Sequence, residues 1–282
     1  MSPVWTIASL TVREAVRRRL VAAFAVISVL LVGLSGWGFY RLSHGSSLTS
    51  GESGLAVPQA VVLFTFMFSF VVALSASAIA SLAVSSEIDS GVLQTVVARP
   101  VRRSDVLLGK WLGLAGLLAA YTAIVCGLQV AVVYWTSGYL APDPAAAAAF
   151  VLAEGVVLLT LVLLLSTRLS ALAAGVIGVA LFGVAWLAGV VGSLGAAFNI
   201  HAMHTAGVIS QYLLPTDGLW HGAMYSLEPA SFVAQQLAES PVAQADPFLA
   251  VAAPPWTYLA WAGIWLVLVL MLGLVSFDRR EL

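Results

Sequence analysis

Residues 58–84 read PQAVVLFTFMFSFVVALSASAIASLAV, without one Asp, Glu, Lys or Arg. A helix needs about 20 apolar residues to cross the hydrocarbon of a bilayer, so this stretch is a membrane span and decides the fold class. The same absence of charge covers 20–40, 53–86, 111–142, 169–216 and 247–277. Six spans follow, at about 20–40, 58–84, 111–135, 145–166, 171–192 and 256–276. Of the 282 residues 61% are hydrophobic and 9% charged, against about a quarter charged in soluble domains. That excludes a soluble globular enzyme and a disordered chain. The expectation is an all-α polytopic membrane protein, one transmembrane domain over 1–282. Its first apolar run has no convincing cleavage site after it and is read as a retained helix. The net charge of −1 gives no hint of nucleic acid, and the single cysteine, Cys126, excludes an intramolecular disulfide.

The basic residues set an orientation. With the N-terminus inside, Arg13, Arg17, Arg18, Arg19, Arg99, Arg102, Arg103, Lys110, Arg168, Arg279 and Arg280 are cytoplasmic and only Arg41 is outside. The positive-inside rule therefore predicts both termini in the cytoplasm. Trp37, Tyr40, Tyr134, Trp135, Tyr139, Trp256 and Tyr258 fall near the outer ends, where aromatic rings favour the headgroup level. Residues 198–214 are apolar but short for a span and carry Asn199, His201, His204 and Gln211. Region 193–255, punctuated by prolines, is read as an external loop that packs into the membrane surface or dips into it.

Two segments suit contacts beyond the spans. In 3–18, Val4, Trp5, Ala8, Val12, Ala15 and Val16 recur at helical spacing, with Arg13, Arg17 and Arg18 largely on the other side. That pattern predicts a helix in the inner interface, its arginines toward anionic headgroups. The other reading is a basic flank that only orients the first span. Residues 85–110 read SSEIDSGVLQTVVARPVRRSDVLLGK and form the one substantial cytoplasmic connection. Ser90 can cap a short helix at 91–98 that Pro100 ends. Val92, Leu93, Val96 and Val97 give it an apolar face, ringed by Glu87, Asp89, Arg99, Arg102 and Arg103. Such a face either docks a cytoplasmic partner or lies flat on its own membrane.

Inside the spans, Ser69, Ala73, Ser77, Ser81 and Ser85 form a stripe of small residues, for packing within the subunit or between subunits. Glu154 stands near the middle of a span, where a charge costs at least a few kcal/mol. It is read as a hydrogen-bonded structural carboxyl, or as a cavity or proton-linked group. His201, Met203, His204, His221 and Met224 are conceivable copper ligands, but no Cys or carboxylate completes a set, and no metal site is assigned. A phosphate loop is absent, since Gly109–Lys110 is followed by Trp111 and position 104 is Ser. There is no H-E-x-x-H and no G-x-S-x-G. No catalytic residue is assigned.

At 85–110 the chain resembles the permease subunits of ABC transporters, specifically the type-2 export-permease family. Glu87, Asp89, Gly91, Leu93, Arg99, Pro100, Arg103, Leu107, Leu108, Gly109 and Lys110 occupy that family's pattern, with Val92 where a hydroxyl residue is usual. Leu214–Leu219 looks like a segment before the last span in the branch that includes the permease of the nitrous-oxide-reductase maturation transporter. The resemblance implies an elbow helix at 3–18, on which Trp5, Arg13, Arg17 and Arg18 were singled out. It implies a coupling helix at 88–99 that docks on a separate cytoplasmic ATPase, with Ile88 and the loop residues above as its contacts. It also implies a second permease, the same or homologous, and a bacterial inner-membrane location. ATP and Mg would be bound by the ATPase and no cofactor by this chain. The readings from another class are a membrane scaffold that recruits a different partner through 85–110, and an ion-coupled carrier that uses Glu154.

Overall fold

The computed structural model of the protein describes residues 2–44, 50–89, 102–239, 243 and 246–279. Among them are ten helices: α1 (Pro3–Val16), α2 (Arg19–His44), α3 (Ser50–Asp89), α4 (Arg103–Ser137), α5 (Pro144–Ser166), α6 (Ala171–Ala197), α7 (His201–Leu213), α8 (Thr216–Leu227), α9 (Ala230–Glu239) and α10 (Trp256–Asp278). Helices α2, α4, α5, α6, α10 and the Ala56–Ser85 part of α3 are long and apolar enough to cross a membrane. The protein is an all-α, multi-pass membrane protein, and the six helices overlap the six apolar stretches, five of them charge-free and one carrying only Glu154. Helix α4 starts at Arg103, ahead of the span read from about 111, and accommodates Lys110: its ammonium is buried and donates to the Ala83 carbonyl of α3.

Helix α5 is the central stave, packed by α3, α4, α6, α8 and α10. Its start is fixed locally: Pro144 takes the first turn and the Asp143 side chain accepts the Ala146 N–H at 2.9 Å. Helix α4 ends on Gly138, whose φ of +68° is the left-handed cap that a side chain disfavours. The small-residue stripe of α3 is buried and packs within the chain. Ser77 donates to the Gly175 carbonyl of α6 at 2.9 Å, and Ser69 reaches α5.

Segment 3–18 is helical over Pro3–Val16 and lies along the start of α4. A Cβ on Gly109 would stand 2.8 Å from the Val4 carbonyl and Ile7, and one on Gly113 would stand 2.6 Å from the Ala8 carbonyl. These two glycines admit the close contact. Arg103 donates to the Asp278 carbonyl and Arg168 to the Ser276 carbonyl and hydroxyl. With the α1 arginines, they gather the described basic residues, Arg41 excepted, at one end of the bundle.

Region 193–255 is more ordered than a loop. It contains α7, α8 and α9. A seventh span at 198–214 is not what α7 provides, since its 13 residues reach only about 20 Å at 1.5 Å per residue.

Candidate functional site

Helices α7 and α8 form a re-entrant pair that carries polar groups into the bundle. The chain reverses after α6 at Asn199, whose φ of +56° is one that Asn tolerates. Helix α7 then runs back along α6: Gly195 meets Met203 and His204, and Gly192 meets Gly207. At the far end Leu214 packs with Ala185, Val157 and Leu219. Ala185 lies twelve residues before the end of α6, or about 18 Å along it. The α7–α8 turn therefore sits deep in an apolar layer about 30 Å thick.

A chain reversal at that depth leaves helix-terminal carbonyls with no water to bond. One face of α10 supplies the donors. Tyr258 donates its hydroxyl to the Gln211 carbonyl at 3.4 Å, Trp261 its indole N–H to Tyr212 at 3.0 Å, and Trp265 to Leu213 at 2.8 Å. The headgroup role expected for Tyr258 is thus corrected: it is 6% exposed and lies over Gly218. Helix α8 then climbs back, buried along nearly its whole length against α5. Its last carbonyls meet the α4–α5 turn, which gives the Asp143 N–H to Ser226 and the Tyr139 hydroxyl to Leu227, each at 2.9 Å.

The polar cluster forms where α8 begins. Asp217 accepts from the Gln211 side chain at 2.7 Å, and its carboxyl lies against Gly189 of α6. His221 Nδ1 is 2.9 Å from the Asp217 carbonyl oxygen and 3.6 Å from its carboxylate. Glu154, 3% exposed, accepts the Ser69 hydroxyl and lies within electrostatic reach of Asp217. Two carboxyls are thus buried together inside the bundle, with Gln211 and His221 beside Asp217. Burying both as charges is costly. Glu228, at the outer end of α8, is also buried. One carboxylate oxygen accepts the Ala250 N–H at 2.9 Å and the other has no partner. Burial pushes its carboxyl up to about 7, against the pull of the Ala250 N–H, with Asp246 adding to the rise.

Of the residues singled out in the sequence, Glu154 and His221 lie in this cluster. His201, Met203 and His204 lie on α7 and Met224 is buried on α8; among the described residues no three His, Cys, Asp or Glu gather as a metal-holding set. In the 85–110 connection, Gly91, Val92, Leu93, Val96, Val97, Arg99 and Pro100 lie outside the described residues. Glu87, Ile88 and Asp89 are the last residues of α3, and Arg103 and Lys110 make the contacts given above. Trp5, Arg13 and Arg17 on and beside α1 are exposed, and Arg18 pairs with Glu14. Trp261 and Trp265 were not picked out; Gln211 stood only among the polar residues of 198–214, and Asp217 only within the Leu214–Leu219 resemblance. The one local signal was the helical spacing of Asp217 and His221.

A family model described as ABC-2 family transporter protein matches residues 5–282. The chain is 32% identical over 129 residues to the probable ABC transporter permease protein NosY of Pseudomonas aeruginosa, covering 45% of this chain and 44% of that protein. It is 26% identical over 152 residues to the protein of the same name from Stutzerimonas stutzeri, covering 49% and 52%. The matched stretches span about half the length of these relatives.

Proposed function

This chain belongs to the ABC-2 family of transporter proteins, and from that premise we infer that it is the membrane-spanning permease subunit of an ATP-driven exporter. A separate cytoplasmic ATPase hydrolyses ATP, and a second permease, identical or homologous, completes the path. The observation that carries the reading is the family match along nearly the whole chain, joined to six apolar helices. The gathering of arginines at one bundle end supports placing that end in the cytoplasm of a bacterial inner membrane.

On this reading α1 is the elbow helix and residues 88–99 are the coupling helix. The apolar face of Val92, Leu93, Val96 and Val97 enters a groove on the ATPase, with Glu87, Asp89, Arg99 and Arg103 at the rim. Closure of the ATPase pair pushes this element, and the push passes into α3 and α4. Cargo class is not assigned.

Leu93→Asp tests the reading by placing a charge where docking would desolvate it, which costs several kcal/mol. The properly inserted variant should lose co-purification with the ATPase and ATP-driven transport in liposomes. Arg103→Ala should do less, as an exposed ion pair contributes about 0–1 kcal/mol. Unchanged binding and transport in Leu93→Asp would sink the coupling assignment. Transport driven by a proton gradient without ATP would favour the carrier reading.

A further inference from the structure

A small cavity lies between α3, α4 and α5, nearer the α4–α5 turn than Glu154 is. Thr65, Phe68, Cys126, Gln129 and Ala147 line it, and Tyr139 stands at its outer end. The space open to water centres is about 40 Å³, more than the roughly 10–15 Å³ that one water requires. Its walls are mostly apolar, yet one buried polar atom in them, Gln129 Nε2, has no partner. Gln129 is 5% exposed and its Nε2 has no partner, while its Oε1 accepts from Ser35 at 2.8 Å. Ser35 has one hydroxyl proton, and the Val32 carbonyl, also at 2.8 Å, competes for it. Turning the amide round lets Nε2 donate to Ser35 but orphans Oε1 instead. In either orientation one carboxamide atom is buried unpaired. The Thr65 and Tyr139 hydroxyls donate to the Val61 and Leu227 carbonyls and keep lone pairs that accept. A water here has the two to four partners it needs.

A second unpaired group continues the line inward. Thr122 lies on the Gln129 face of α4, two turns away, with Cys126 between them; its hydroxyl is buried without a partner. On α3, Ser69 follows Thr65 by one turn and donates to Glu154. Leu118 of α4 and Val72 of α3 both close on Gly155. Toward the α4–α5 turn, Thr122 is one turn on from Leu118 and Ser69 one turn from Val72, while Glu154 directly precedes Gly155 and accepts from Ser69. The titratable groups facing Glu154 are Asp217, itself beside His221, on α8 and Tyr258 on α10, while Cys126 of α4 lines the cavity. Helix α6 and the described side chains of α3 contribute none.

We propose that this cavity is a water-binding site, and that its water carries protons between the membrane side of the α4–α5 turn and the Glu154 carboxyl. A hydronium formed in bulk gives up a proton through the cavity water: an O–H bond of the donating hydronium breaks, an O–H bond forms on a Glu154 oxygen, and a neutral water and a neutral carboxyl remain. The inference stands apart from the permease reading.

Cys126 is the sole cysteine, so its S–H stretching band is unambiguous in the infrared spectrum of the full chain in lipid nanodiscs. After transfer to D2O, Cys126 should exchange faster than the backbone amides of α4. The protonated-carboxyl band that vanishes in Glu154→Gln should shift over the same period. Gln129→Leu, which removes the carboxamide, should slow both exchanges by about tenfold or more. Ala147→Leu plugs the cavity while keeping Gln129, should act alike, and serves if the first variant does not fold. A Cys126 band that persists in the folded protein, or exchanges only with the α4 amides, overturns the proposal. So does a Glu154 band that is absent at every pH or exchanges at wild-type rate in both variants.

Discussion

Trp265, ten residues into the last spanning helix, donates its indole N–H to the Leu213 carbonyl at 2.8 Å, where the re-entrant α7 ends. The bond joins two elements far apart in sequence, at a depth where no water competes for that carbonyl. Trp265→Phe keeps the ring and removes the donor. A buried acceptor left unpaired costs about 1–3 kcal/mol. The variant should melt lower in nanodiscs, and α7 amides should exchange faster than those of α5. Equal α7 protection would show that this bond does not hold the re-entrant turn.

The α6–α7 contact is made by backbone. A Cβ on Gly207 would stand 2.5 Å from the Gly192 Cα and 3.0 Å from the Ala188 carbonyl. Gly207→Val should destabilise the protein by roughly 1–3 kcal/mol or more through overpacking. Gly183→Ala, where nothing lies within 4 Å, should leave the melting temperature near wild type. Similar melting of both variants would argue against the pairing.

Glu154 should tolerate Gln better than Lys. Gln keeps the shape and accepts from Ser69, whereas Lys places a cation inside the bundle at a cost of several kcal/mol. Folded yield of Glu154→Gln should be near wild type, with transport retained, and that of Glu154→Lys should fall steeply. Loss of transport in a well-folded Gln variant would make the ionised carboxylate functional.

Glu228 gives a pH dependence of known sign. Its folded carboxyl sits at about 7, above the ordinary value of 4.5. The folded state holds this proton more tightly than the unfolded chain does. Its stabilising contribution is fully present below about 4.5 and lost as pH rises through about 7. Melting temperatures across this window should fall more for wild type than for Glu228→Gln. Parallel curves would place the titration elsewhere.

Sidedness is open to direct labelling. In a Cys126→Ser background, cysteines introduced at Ser47 and Ser240 should react with an impermeant thiol reagent on intact cells, and those at Ser104 and Leu282 should not. The basis is the eleven-to-one division of basic residues. Labelling of Leu282 from outside would reverse the placement of the C-terminus.

The spans were legible because a bilayer imposes one simple requirement, an apolar run of sufficient length; five charge-free runs and one that carries only Glu154 stand out. The re-entrant pair was legible only in outline. Residues 198–214 were recognisably too polar and short for a span, but no local pattern says that Trp261 and Trp265 cap the end of α7. Those partners lie some fifty residues apart, and only tertiary packing joins them. Glu154 was visible as a lone charge in an apolar run. Asp217 was visible only within the Leu214–Leu219 resemblance, because no local pattern shows that the α7–α8 turn carries it into the bundle. Lys110 looked like a loop residue, although α3 supplies a carbonyl that lets it sit inside.

The 90–101 connection is set into the frame at both stems. Lys110 ties α4 to Ala83 of α3, Gly109 and Gly113 seat α1 on α4, and Arg103 holds the last residue of α10. A load applied there cannot bend one helix alone. It is shared among four helices as torque on a stiff handle. At the opposite end α8 is joined to the α4–α5 turn by two hydrogen bonds, and Glu228 takes the Ala250 N–H, so α8 is held there by single polar contacts rather than by backbone-close helix packing.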